Sequence, residues 1–287
     1  MRRAAFAAGA LAACALPRAA SAQPKLYVGD VVERIPGITG VVARTMGNGA
    51  PLIDLRGDEK FASASVIKLA IMATVYRAYD AGTARPTDVI RTKASDLIGG
   101  SDVLAGSAPG EGWRIDTLVK AMIHVSDNSA SNTLISAFGM GSINATMRRA
   151  GMVNSKLARH FADVVPPWRR SENIITPKDT AALLFAIERG AREGIATIAT
   201  PMSCRAMIDV MLGNDDTTKI VRGLPRGTPV AHKTGEIDYV RNDAGIVDPF
   251  GDNPYILVVL TRELRDYDAG NAGIAAIARR VDAALRA

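Results

Sequence analysis

Three short groups of residues stand in one order along this chain, and together they could perform acyl transfer. Ser65-Val66-Ile67-Lys68 places a hydroxyl and an amine three residues apart, Ser126-Asp127-Asn128 adds a second hydroxyl and an amide, and Lys233-Thr234-Gly235 adds a cation beside a hydroxyl. A serine becomes a nucleophile only when a neighbouring base takes its proton, and a lysine can serve if burial lowers its pKa. Each group alone is weak: Ser-x-Asn, for example, recurs at Ser126, Ser142 and Ser171. The ordered set is far more specific than its parts.

The surroundings of the first group favour chemistry. From Phe61 to Tyr76 the sequence is almost continuously apolar or small, with Lys68 its only charge before Arg77 and Gly82 a plausible stop. A helix apolar on all sides is a buried helix, and burying an unpaired ammonium costs several kcal/mol. In a helix Ser65 and Lys68 share a face, so Lys68 can accept the Ser65 proton, and Ser65 in the first turn meets the positive end of the helix dipole. Ser126 follows the helical run Thr117 to Val125 and should open a turn; it can relay a proton to a leaving nitrogen, while Asn128 can bind a substrate amide. Lys233 and the Thr234 hydroxyl could hold a substrate carboxylate, and Gly235 would let an extended acyl substrate approach the backbone. The N–H groups of Ser65 and Glu236 would form an oxyanion site.

The elements that must position these groups can be read coarsely. Ile38 to Ala43 and Leu52 to Leu55 read as strands around a turn at Asn48-Gly49. Val230 to Gly235, Ala244 to Val247 and Tyr255 to Thr261 read as three more strands, followed by a helix over Ala272 to Leu285. Between about Ser63 and Leu212 the periodicity is mostly helical, broken at Gly99-Gly100 and Pro166-Pro167. The expectation is an α+β chain: an antiparallel sheet built from 23–62 and 213–287, with an all-helical domain over 63–212 inserted between.

With 287 residues, 48% of them hydrophobic and 22% charged, the chain can bury a substantial core. Arg2, Arg3, the apolar stretch Ala4 to Leu16 and Ala20-Ser21-Ala22 resemble a secretory signal over 1–22, so export to the periplasm is expected, with lipidation at Cys14 an alternative in Leu11-Ala12-Ala13-Cys14. Its removal would take the formal net charge from +6 to +3, too mild to suggest nucleic acid as a partner. Cys204 would then be the one cysteine left, read as a packed hydrophobe. His124, His160 and His232 lack zinc-hydrolase spacing, so no metal or cofactor is expected; His124 and His232 read as satisfied core residues. A monomer acting on a small molecule is expected.

The chain resembles the penicillin-recognising serine enzymes, and most closely the class A serine β-lactamases, from about Leu26 to the C-terminal helix. The resemblance is carried by 61–68 around Ser65, by 122–132 around Ser126, by His232-Lys233-Thr234-Gly235 and by Thr176-Pro177-Lys178-Asp179. It implies a five-stranded antiparallel sheet flanked by helices on both faces, plus an all-helical domain, with the active site between them. It also implies a Ser65 acyl-enzyme formed on β-lactam amides, a serine hydrolase acting on cyclic amide C–N bonds. The family's Glu-x-x-Leu-Asn segment, whose Glu activates the water that releases the acyl group, has no counterpart. Between Val153 and Thr176 the acids are Asp163 and Glu172; Asp163 is the candidate deacylation base, with a solvated loop acid the plain alternative. The readings carried forward are a β-lactamase, a D-alanyl-D-alanine carboxypeptidase acting on cell-wall peptide, and a sensor acylated without turnover. Glu236 should repel a carboxylated substrate. If Asp238-Tyr239 is a two-residue turn, Arg241 faces Glu236 across the hairpin, neutralises it and lies near the substrate carboxylate.

Overall fold

The computed structural model describes residues 26–47, 49–99, 102–161 and 172–287. The secretory segment with Cys14, the turn residue Asn48 and the loop acid Asp163 lie outside the described residues. In chain order the elements begin α1 (Gly29–Val32), β1 (Ile38–Thr45), β2 (Ile53–Leu55), β3 (Phe61–Ala62), a 3-10 turn (Ala64–Ile67), α2 (Lys68–Asp80), β4 (Val89–Arg91) and β5 (Gly112–Arg114). They continue α3 (Ile115–His124), α4 (Asn128–Phe138), α5 (Met140–Arg149), β6 (Ile174–Ile175), α6 (Pro177–Glu193), α7 (Pro201–Leu212) and α8 (Ile220–Gly223). Strands β7 (Val230–Ile237), β8 (Val240–Val247) and β9 (Tyr255–Arg262) and helix α9 (Tyr267–Arg286) complete the chain.

The main sheet has five strands in the order β2-β1-β9-β8-β7, all antiparallel. Both chain ends therefore build it, as the two groups of strand signals require. The central strand β9 carries the apolar run Tyr255 to Leu260 because both of its faces are covered. Ile256, Val258 and Leu260 pack with α2, α3, α6 and α7 on one side, and Tyr255, Leu257 and Val259 pack with α9 on the other. The alternation follows from the two-residue period of a strand. Helices start where the sequence offers caps: Thr176 accepts from the Asp179 N–H with Pro177 in the first turn, and Asp127 accepts from the Ala130 N–H to open α4.

One local expectation is corrected. The helix expected from Phe61 begins only at Lys68. Phe61 and Ala62 pair instead as a short strand with Ile175 and Ile174, and the chain reaches α2 through the 3-10 turn. The local apolar run could not foretell this, because the pairing partner is more than a hundred residues away.

Candidate active site

Ser65 sits in the 3-10 turn, not in the first turn of an α-helix, and the backbone N–H of Lys68 donates to the Ser65 carbonyl. A 3-10 turn nearly eclipses residues i and i+3, so the expected common face of Ser65 and Lys68 survives the change of element. The turn is braced from β8, where the fully buried Asn242 donates from Nδ2 to the carbonyls of Ala62 (3.0 Å) and Ser63 (3.4 Å) and accepts the Thr261 N–H (2.9 Å). It is also wedged against β7. A Cβ on Gly235 would lie 2.9 Å from the Ser65 nitrogen and 3.1 Å from the Ser63 carbonyl oxygen. Gly235 is thus required by the nucleophile turn itself, a reason different from the substrate approach expected of it.

Lys68 has no exposed surface. Its ammonium donates to the Ser126 carbonyl (2.6 Å), the Ser126 hydroxyl (3.1 Å) and Asn128 Oδ1 (2.7 Å). Among the described residues no carboxylate pairs with it. Burial, chiefly, holds its pKa well below the usual lysine range; the charge of Lys233 lowers it further, and Asp127 works against both. Ser126 lies between α3 and α4 with φ of 60°, a left-handed conformation that costs a non-glycine residue about 1 kcal/mol or more. That conformation aims its carbonyl and hydroxyl at one ammonium. The helix cap that follows this turn is made by Asp127, which also accepts the N–H groups of Val103 and Leu104. Its neighbours are left free for Lys68.

Lys233 is also fully buried, and its ammonium donates to the Thr234 carbonyl at 3.0 Å. Burial lowers its pKa to about 8, although Asp243 and Asp216 oppose the shift. Strand β7 forms the edge of the sheet, so alternate backbone groups along it lack a strand partner and face outward. An open cleft of about 560 Å³ runs beside it, lined by Ser65, Asn128, Phe161, Glu172, Glu236 and Asp238 among others.

The two-residue turn at Asp238-Tyr239 is present, with Glu236 opposite Arg241 and Ile237 opposite Val240. The pairing is looser than expected, with Arg241 Nε 3.7 Å from Glu236. The guanidinium lies 3.9 Å over the Tyr267 ring and donates to the Ile237 and Val240 carbonyls. The Arg241 guanidinium is thus held by Tyr267 and the turn carbonyls as well as by Glu236. Sequence reasoning missed the tighter partner, Lys219, at 2.6 Å from Glu236.

Three further residues went unread. Asn132, buried in α4, donates to the Phe161 carbonyl (3.2 Å) and accepts the Phe161 N–H (2.8 Å). Phe161 is thereby held with its ring centre 4.6 Å from the Lys68 ammonium. Asn173 clasps the same region, accepting the N–H groups of Ala158 and Arg159 and receiving Ser63 N–H on its carbonyl. Glu172 pairs with Arg159 at 2.9 Å. Asparagines in the sequence signal such main-chain clamps only by type, since the segments they join are remote. His232 is satisfied, bonding Asp243 through Nδ1 at 2.9 Å, but His124 is not: its Nε2 is buried without a hydrogen-bond partner among the described residues. Cys204 is buried, and burial pushes its thiol up to about 11, consistent with a packed side chain.

Lys68, fully buried and bonded to the half-buried Ser126, follows Ser65 by three residues in a turn lining a sheet-edge cleft, with a second buried lysine on the edge strand; these are the kinds of group a serine acyl-transfer site uses. Comparison with known proteins agrees. The chain belongs to the β-lactamase enzyme family, whose model matches residues 24–285. It is similar to the β-lactamase of Sphaerobacter thermophilus, at 31% identity and TM-score 0.80 over 90% of this chain and 96% of that one. An ancestral (GNCA) class A β-lactamase matches at 28% and TM-score 0.78, over 89% and 97% of the two chains. A mutant of PBP-A, solved as an acyl-enzyme complex with penicillin-G, matches at 25% and TM-score 0.78, over 92% and 99%.

Proposed function

We propose that this protein is an exported, monomeric serine hydrolase that opens β-lactam amides through a Ser65 acyl-enzyme. The observation that carries the reading is the Lys68 ammonium, buried and paired with no carboxylate among the described residues, in contact with Ser126 and Asn128. A lysine so placed loses its proton readily. In its neutral form it takes the Ser65 proton as Oγ attacks the amide carbonyl; the proton passes through the Ser126 hydroxyl to the leaving nitrogen as the C–N bond breaks. Asn128 gives its oxygen to Lys68 and keeps its Nδ2 for the substrate's acyl amide. Lys233 and Thr234 hold the substrate carboxylate, and the N–H groups of Ser65 and Glu236 receive the oxyanion.

A second reading, a D-alanyl-D-alanine carboxypeptidase or penicillin-binding protein, is favoured by Phe161. The ring beside Lys68 is an apolar group where a water-activating carboxylate would be useful, and it supports slow release of the acyl group. The likeness to PBP-A, captured in mutant form with penicillin-G as an acyl-enzyme, points the same way. Rapid mixing of the protein with a chromogenic cephalosporin tests both. A burst followed by turnover supports the β-lactamase, with Asp163 as the base to substitute next. A burst without turnover refutes it, and D-alanine release from a pentapeptide then identifies the peptidase, while its absence leaves an acylated sensor. If neither cephalosporin nor penicillin labels Ser65, with Ser65→Ala as the control, the acyl-enzyme itself is refuted.

A further inference from the structure

A second cleft, of about 640 Å³, opens in the helical part of the chain and shares no lining residue with the one beside Ser65. Its volume falls in the range of small-molecule pockets, about 300–1,000 Å³. It is enclosed by the second half of α2, the end of α4 and one face of α5, and Arg77 stands about 14 Å along α2 from Lys68. Two arginines of like charge line it. Arg77 donates from Nη1 to the Ile198 carbonyl (3.0 Å), and Arg149 donates from Nε to the Thr197 carbonyl (3.1 Å). Consecutive carbonyls thus bring the two guanidinium groups together, and each has further N–H donors to spend. Neither forms an ion pair among the described residues. The acid whose charge reaches Arg77 is Asp80, but its oxygens are taken by the start of α7: they accept the Thr200 N–H (2.6 Å), the Thr200 hydroxyl (2.8 Å) and the Ser203 hydroxyl (2.6 Å). Burial lowers the Arg77 pKa and the charge of Arg149 lowers it further, with Asp80 opposing both. The hydroxyls of Ser142 and the buried Thr146 also line the cleft, with no hydrogen-bond partner among the described residues, and Phe138 gives it an apolar wall.

We infer that this cleft is a binding site for a small phosphate monoester, its phosphate held between Arg77 and Arg149 and its organic group against Phe138. Two adjacent cations without a counter-ion match the two charges of a phosphate above its second pKa of about 6. Guanidinium N–H groups bond phosphate oxygens more strongly than neutral donors do, and the two hydroxyls can supply further bonds. A carboxylate would leave one of the two cations uncompensated. If the arginines served only to tie α2 and α5 to the loop before α7, one donor of each would suffice, and the open space in front of their remaining donors would have no use.

Isothermal titration calorimetry of the protein with phenyl phosphate and with inorganic phosphate, at constant ionic strength, tests this. Phenyl phosphate should bind saturably and more tightly than inorganic phosphate, and its affinity should fall as pH drops below about 6, where the phosphate loses one of its charges. Arg77→Gln and Arg149→Gln keep an N–H donor for the loop carbonyls and should each weaken binding by about tenfold or more. Arg148→Gln, on the same helix but exposed and outside the cleft, should leave it unchanged. Melting midpoints confirm that each variant is folded. No binding of phenyl phosphate, equal affinity for the two phosphates, or an equal loss in Arg148→Gln overturns the inference. Ser65→Ala should bind phenyl phosphate as the wild type does, so the result is independent of whether Ser65 is acylated by any substrate.

Discussion

Replacing Asn242 by leucine should loosen the nucleophile turn and slow acylation without touching any group that reacts. The leucine is close to asparagine in size, so the change deletes hydrogen bonds rather than volume. It leaves the buried Thr261 N–H and the part-buried Ala62 carbonyl, now bonded at 2.9 and 3.0 Å, without this partner. Each stranded buried group costs about 1–3 kcal/mol, and the added apolar burial returns about 1–2 kcal/mol. The net destabilisation is then about 0–5 kcal/mol, read as a lower urea midpoint at unchanged slope. The turn is blocked from moving toward β7 by Gly235, whose missing side chain is already filled by Ser63 to Ser65. It would move away from the oxyanion position, and a displacement near 1 Å costs about a hundredfold in rate. Acylation by a cephalosporin, followed under conditions where the variant is fully folded, should fall by about that factor. Asn242→Asp, which keeps the acceptor for Thr261 but loses the donor to the turn, should retain more stability than leucine and still acylate slowly. A leucine variant with the wild-type midpoint and the wild-type acylation rate would refute the assignment of Asn242 as the brace.

Three further outcomes follow from the same geometry. Phe161→Glu should place a carboxylate against Lys68 on a main chain already clamped by Asn132, shortening the acyl-enzyme lifetime by about a hundredfold or more; an unchanged lifetime by mass spectrometry would show that the ring does not hold the water's place. Lys233, whose pKa burial lowers to about 8, should lose its charge above that pH, so the KM for a carboxylated donor should climb there. Its folded pKa lies below the unfolded value of 10.5, so its burial penalty is complete below pH 8 and relieved as pH rises toward 10.5, by up to about 3 kcal/mol; chemical unfolding of wild type against Lys233→Met across that range should diverge in that direction. Glu188 is fully buried, with Oε2 lacking a hydrogen-bond partner among the described residues, and burial raises its pKa although Arg192, bonded to Oε1, opposes the shift. Because the folded form holds the proton more tightly, stability should fall as pH rises through its folded pKa, and Glu188→Gln should melt higher than wild type at neutral pH but not in acid.

Much of the chemistry was legible in residue types. A lysine alone in an apolar run must be either paired or chemical, and it is buried among two hydroxyl-bearing turns with no carboxylate partner among the described residues. Strand signals at both ends of the chain pointed to one sheet built from both termini, the resemblance implied helices on both of its faces, and β9 is covered on both sides. What the sequence could not convey depended on partners far along the chain. Phe61 and Ala62 read as helix until Ile174 and Ile175 pair with them, and Gly235 read as a substrate approach until the Ser65 turn fills its empty side. Arg241 faced Glu236 by register alone, yet Tyr267 captures its guanidinium and the buried Lys219 takes the tighter hold. Local sequence sets propensity, spacing and the cost of an unpaired charge. Which groups meet across a cleft, and so whether Phe161 or a carboxylate stands against Lys68, is decided only by tertiary packing.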